Sequence, residues 1–145
     1  MKLKELSRVY GRPPITVGEN DTIDIAIQKL LEHRIGALPV CNARGALVGI
    51  ISERDLLGIC SSRPDEVPET RIKDVMVKDV AVCVPDDDLN YVMNIMTQKG
   101  IRHMPVMDGE KLAGIISIRD IMSERLDACE IEVRHLSDYI SGGYI

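Results

Sequence analysis

The sequence predicts an α+β protein made of two β-α-β-β-α units packed sheet to sheet with pseudo-twofold symmetry. Three observations predict it. Gly49-Ile50-Ile51-Ser52-Glu53-Arg54-Asp55-Leu56 recurs 65 residues on as Gly114-Ile115-Ile116-Ser117-Ile118-Arg119-Asp120-Ile121. Ile35-Gly36-Ala37-Leu38-Pro39-Val40 recurs 66 residues on as Ile101-Arg102-His103-Met104-Pro105-Val106. The one-residue difference falls in the intervening turn, where a change of length costs least. Around these landmarks, stretches with strand and helix patterning follow in the same order both times. A unit of three strands and two helices leaves part of an apolar sheet face uncovered, and a second copy buries it.

The elements follow in order. The match extends back to Leu6, Val9 and Tyr10 against Ile72, Val75 and Met76. Ile15-Thr16-Val17 reads as the opening strand. Ile23, Ala26, Ile27, Leu30 and Leu31 recur at helical spacing after a candidate cap, Asp21. Strands are expected over 38–41 and 47–51, joined by Asn42-Ala43-Arg44-Gly45, with a closing helix from Ser52. The Pro-, Ser- and Glu-rich stretch 60–71 reads as a linker. In the second unit Leu89, Val92, Met93 and Met96 recur after Asp87, and Gly100 stops the helix in a left-handed cap. Strands over 104–107 and 112–116 flank Asp108-Gly109, a hairpin signal, and a helix starts near Ser117. The methionines Met93, Met96, Met104 and Met107 are assigned to core packing. The expected divisions are therefore 1–59, 60–71, 72–127 and a helical tail, 128–145, with Leu126, Cys129, Val133, Leu136 and Ile140 as one apolar seam.

Composition narrows the function. A formal net charge of -5 argues against nucleic acid and anionic membrane as partners, since both need a basic surface. With four Tyr and no Trp or Phe there is no platform for stacking bases, so an adenine held here lies between aliphatic side chains. Cys41, Cys60, Cys83 and Cys129 stand far apart, which suggests free thiols in place of a zinc site or disulfide framework. No signal peptide or membrane-spanning run is evident, and a soluble, cytoplasmic protein is expected.

Ser52 with Asp55, and Ser117 with Asp120, have the spacing of a helix capping box, which needs no ligand. A carboxylate is also an acceptor-only group that takes hydrogen bonds from two vicinal hydroxyls, as a ribose presents them. The N–H groups at a helix start favour phosphate, and Arg54, Arg102, His103 and Arg119 supply the local positive charge. Two in-register copies beside matched Pro strands favour the ligand reading over caps alone.

These paired motifs, covering about 120 residues, resemble the CBS-domain pair, or Bateman module, as a stand-alone tandem protein. The resemblance implies clefts between the repeats that bind AMP, ADP, ATP, NAD or S-adenosylmethionine, with AMP the leading choice and no cofactor required. It implies that Asp55 and Asp120 grip ribose hydroxyls and that Ser52 and Ser117 support ribose or phosphate. It places Ala37-Leu38-Pro39 and His103-Met104-Pro105 at the adenine edges, with Thr16 and Val82 at matched positions on the rim. Gly11-Arg12-Pro13-Pro14 departs from the family's usual opening, seen here as Lys73-Asp74-Val75-Met76. A homodimer is expected, with the tail as a secondary contact. The function expected is a regulatory sensor of an adenosine nucleotide without catalysis, acting on an unidentified protein. The rival is a ligand-free dimeric docking module, and a weaker third option is a nucleotide hydrolase.

Overall fold

The computed structural model describes residues 1–6, 9 and 13–141. Tyr10, Gly11, Arg12 and the last four residues of the tail lie outside the described residues. In the first copy β1 (Val17–Gly18) leads to α1 (Ile23–His33), β2 (Ala37–Cys41), β3 (Leu47–Ser52) and α2 (Glu53–Ser62). The second copy comprises α3 (Leu89–Lys99), β4 (His103–Asp108), β5 (Lys111–Ser117) and α4 (Ile118–Ile140). Short 3-10 helices occupy Leu3–Glu5, Pro64–Glu69 and Ile72–Asp74. This is the α+β repeat architecture expected, with one departure in the second copy.

That departure is a missing strand. β1 pairs in parallel with β2, and the sheet runs β1-β2-β3, whereas β4 and β5 form a sheet of two. The second copy has only a parallel bridge between Cys83 and Val106. Glu19 extends the first ladder by donating its N–H to the Cys41 carbonyl at 3.0 Å. Its counterpart is Pro85, which has no N–H to donate. The hairpins otherwise match, even to a register shift after Val40 in one and after Val106 in the other.

The helix starts also differ from expectation by one residue. Thr22 and Asp88 stand at the caps of α1 and α3. Asp21 and Asp87 instead close the preceding turns, accepting from the Gly18 and Val84 N–H groups at 2.8 Å each. Gly100 ends α3 in the left-handed conformation, and its counterpart Arg34 adopts the same one at φ 54°. α2 and α4 begin at Ser52 and Ser117 as expected.

The opening segments are exchanged between the copies. Leu3, Leu6 and Val9 pack with Cys83, Val92, Met104 and Ile116 in the second core. Ile72, with Val75 and Met76 against it, packs with Val17, Leu38 and Ile51 in the first. Backbone bonds fix the exchange symmetrically. Leu3 and Lys4 donate to the Asp87 and Pro85 carbonyls at 2.9 Å each, and Ile72 and Lys73 donate to those of Asp21 and Glu19, also at 2.9 Å. These bonds correct the expected alignment: Leu3-Lys4-Glu5-Leu6 is the counterpart of Ile72-Lys73-Asp74-Val75, so Leu3, not Leu6, matches Ile72.

The exchange explains the matched glycines of β3 and β5. A Cβ on Gly114 would lie 2.9 Å from the Val9 carbonyl oxygen, and one on Gly49 would lie 3.0 Å from that of Val77. Gly114→Ala is therefore expected to destabilise the protein by about 1–3 kcal/mol, as overpacking does. Gly58, inside α2 with nothing near its missing Cβ, gives the opposite sign: Gly58→Ala stabilises by about 0.4–1 kcal/mol. Urea unfolding of the two variants checks the pair.

Candidate functional site

The Ser-x-x-Asp motif folds as a complete capping box in both copies. At the start of α2, Asp55 Oδ2 accepts from the Ser52 N–H and from the Ser52 hydroxyl, each at 2.9 Å, and the Asp55 N–H donates to Ser52 Oγ at 3.4 Å. At α4 the matching distances are 2.8, 3.0 and 3.2 Å for Asp120 and Ser117. All of these bonds use one carboxylate oxygen. Among the described residues Oδ1 of each aspartate makes no hydrogen bond, so the cap leaves half the carboxylate's accepting capacity unused.

Asp55 lines a cavity of about 520 Å³ between the copies. Pockets of ~300–1,000 Å³ suit small organic ligands. Ala37, Ile50, Ser52 and Arg54 form its wall from the first copy. Lys99, Ile101, Arg102 and His103 close it from the second. Val77, Asp79, Val80 and Ala81 supply the remaining side, where Val77 is stitched to Ile50 by reciprocal backbone bonds of 2.9 and 3.0 Å. Four basic side chains thus stand around a space that also carries Asp55, Glu53 and Asp79.

The structure regroups the residues singled out in the sequence. Ser52, Arg54, Asp55, Ala37, Arg102 and His103 share this cavity, although Arg102 and His103 come from the other copy. Asp120, Ser117, Arg119 and Thr16 do not line it. Val82 lines a separate, more open depression with Arg44, Lys78 and Met107. Leu38 and Met104 are completely buried in the two cores, and Pro39 and Pro105 are buried within their hairpins, so none of the four lines the cavity or the depression. Val9 is the counterpart of Val77 by its approach to the matched glycine, and Ile15 is the counterpart of Ala81 by the strand pairing; residues 10–12 between them lie outside the described residues. Sequence reasoning missed Lys99, Ile101 and the 77–81 wall. Lys99 was detectable as the cation next to the matched Ile101-Arg102 pair.

His103 ties the halves together. A Cβ on Gly36 would sit 3.1 Å from its Nε2, so the imidazole occupies the space that this glycine leaves. Burial holds its pKa below the usual 6.5, Arg102 and Arg119 acting in the same direction and the carboxylates of Asp120 and Glu53 opposing. The folded state therefore prefers the neutral ring. The stability this brings is complete above the unfolded value near 6.5 and is lost as pH falls through the lower folded value. Between pH 7.5 and 5.5 the wild type is expected to lose more unfolding free energy than His103→Gln, as measured by urea denaturation.

Among the described residues no three His, Cys, Asp or Glu side chains are placed to hold a metal ion, and no helix is long and apolar enough to cross a membrane.

The fold and cleft define a class: a paired-repeat module with a ligand-sized cavity between its copies. The chain belongs to the CBS domain family, which matches residues 6–62 and 72–127. It resembles the crystal structure of a CBS-domain containing protein from Agrobacterium tumefaciens with a TM-score of 0.80 and 35% identity, over 86% of this chain and 92% of that one. It also resembles the CBS domain pair of protein MJ0100, crystallised with 5′-methylthioadenosine and S-adenosyl-L-methionine, with a TM-score of 0.76 and 27% identity over 90% of this chain and 98% of that one. A mitochondrial CBS domain-containing protein of Arabidopsis thaliana, CBSX3, is 31% identical over 86% of this chain, which spans 63% of that protein's length.

Proposed function

We propose that the Asp55 cleft binds an adenosine compound, AMP foremost, and that binding regulates how the chain engages other proteins. The observation that carries this reading is the position of Asp55: it lines a ligand-sized cavity while its cap occupies only one carboxylate oxygen. A ribose diol donates to the remaining oxygen, Arg54, Lys99 or Arg102 meets phosphate, and the adenine lies against Ala37, Ile50 and Val80. The adenosine compounds bound by the MJ0100 domain pair support the choice of ligand class. Equivalent roles for Asp120, Ser117 and Arg119 in a second cleft follow from the repeat.

In this reading the module binds without chemistry. Each aspartate is held by its own capping serine, and the two stand in separate copies in place of flanking one bond. A ligand touching both copies shifts their packing only by its difference in affinity for the two arrangements. The chain acts as a homodimer on a regulated protein, in a reducing compartment such as the cytoplasm, where free thiols at Cys41, Cys60, Cys83 and Cys129 persist. Isothermal titration calorimetry with AMP, ADP, ATP, NAD, S-adenosylmethionine and 5′-methylthioadenosine tests the reading. At least one is expected to bind with one site per Asp55 cleft, and silence across the panel at millimolar concentration overturns it.

A further inference from the structure

We propose that the projecting part of α4 pairs with the same segment of a second copy as a parallel, in-register, two-stranded coiled coil. This deepens the homodimer reading and rests on it. α4 continues as one helix to Ile140, yet after Ile121 none of its described side chains is buried. Its apolar seam lies open: Met122 is 50% exposed and Ile140 80%, with Leu126, Val133 and Leu136 between them, and Cys129 is also exposed. These positions alternate by four and three. That is heptad spacing, with Leu126, Val133 and Ile140 at a and Met122, Cys129 and Leu136 at d. β-Branched residues at a with Leu at d favour two parallel strands, and Val133, Ile140 and Leu136 meet that preference.

From Leu126 to Ile140 the seam is roughly 21 Å long at about 1.5 Å per residue. Isolated helices of this length are marginal in water. Here the folded body already holds the first turns of α4 through Ile118 and Ile121, so the helix need not nucleate. Charge selects the orientation. In a parallel pair a g residue faces the e residue five positions on in the other helix, which sets Arg125 near Glu130 of the second copy. The antiparallel alternative sets Glu130 against Glu130 and Glu132 against Glu132. Arg125 also donates to Asn90 Oδ1 in its own chain, which holds its guanidinium at the base of the seam.

Parallel pairing in register layers Cys129 on Cys129, whereas the antiparallel seam layers it on Val133. The full chain is therefore oxidised with copper-phenanthroline, two thiols passing two electrons and two protons to the oxidant as a disulfide forms, and run on non-reducing gels. Cys83 does not compete, being buried with its thiol pushed up to about 12. A covalent dimer is expected that vanishes in Cys129→Ser, slows at least tenfold in Leu136→Gln, and is unchanged in Ile131→Gln, an exposed residue off the seam. Sedimentation velocity separates the failures. A dimer without the Cys129 cross-link overturns the coiled coil and leaves the homodimer reading standing, and a monomer overturns both. A cross-link unaffected by Leu136→Gln, or equally lost in Ile131→Gln, also overturns the coiled coil.

Discussion

Leu3→Ala is expected to lower the unfolding free energy by about 2–5 kcal/mol, the range for emptying a closed apolar site. Leu3 is the third residue of the chain and is completely buried, in the core of the second copy. The same substitution at Leu31, 75% exposed on α1, is expected to stay within about 0.5 kcal/mol. Urea unfolding compares the two. Hydrogen exchange then locates the damage: amides of β4 and β5 lose protection before those of β2 and β3. The reverse order, or equal stability for the two variants, contradicts the exchange of opening segments. Ile72→Ala is the mirror experiment and loosens β2 and β3 first.

Asp55→Asn is expected to weaken adenosine-ligand binding by about 10- to 100-fold, because hydrogen bonds to a charged acceptor contribute roughly 1.5–3 kcal/mol. The change separates the aspartate's two roles. An asparagine oxygen still accepts from Ser52 and preserves the cap, but its NH₂ then points where Oδ1 stood and offers a donor to a diol that itself donates. Melting temperature should move little, whereas Asp55→Ala also removes both bonds the carboxylate accepts from Ser52, leaving Ser52 as the cap, and costs about 0.5–1.5 kcal/mol of stability per bond lost. Calorimetry and thermal unfolding of the same samples check both. Asp55→Asn with undiminished affinity would leave the carboxylate with capping alone.

Much of the fold was legible because the repeat carries its own alignment. The Gly-Ile-Ile-Ser and x-Pro-Val segments fixed the hairpins and the starts of α2 and α4. The opening segments were misaligned because Leu6-x-x-Val9 and Leu3-x-x-Leu6 have the same apolar spacing, and only the backbone bonds to Asp87 and Pro85 distinguish them. Which copy each opening packs against is not written in local pattern at all. Leu3 and Ile72 would satisfy either core by size and hydrophobicity. The site inherits that limit: Ser52, Asp55 and Arg54 were readable from the motif, but the 77–81 wall comes to the cavity only through the exchange. Asp21 and Asp87 are each followed by a residue of a type that also caps helices, Thr22 and Asp88, and sequence alone does not decide between neighbours. The missing strand of the second copy was visible in principle, as Pro85 at the position of Glu19.

The most direct measurement is an amide ¹H–¹⁵N titration of the ¹⁵N-labelled full chain with AMP. The predicted result is a set of saturable shifts at Gly36, Ala37, residues 52–55, residues 77–81 and residues 100–103, drawn from both copies at once. Shifts confined to residues 44–48 and Met107, or spectra unchanged at millimolar AMP and at millimolar S-adenosylmethionine, would contradict a ligand held between the repeats at Asp55.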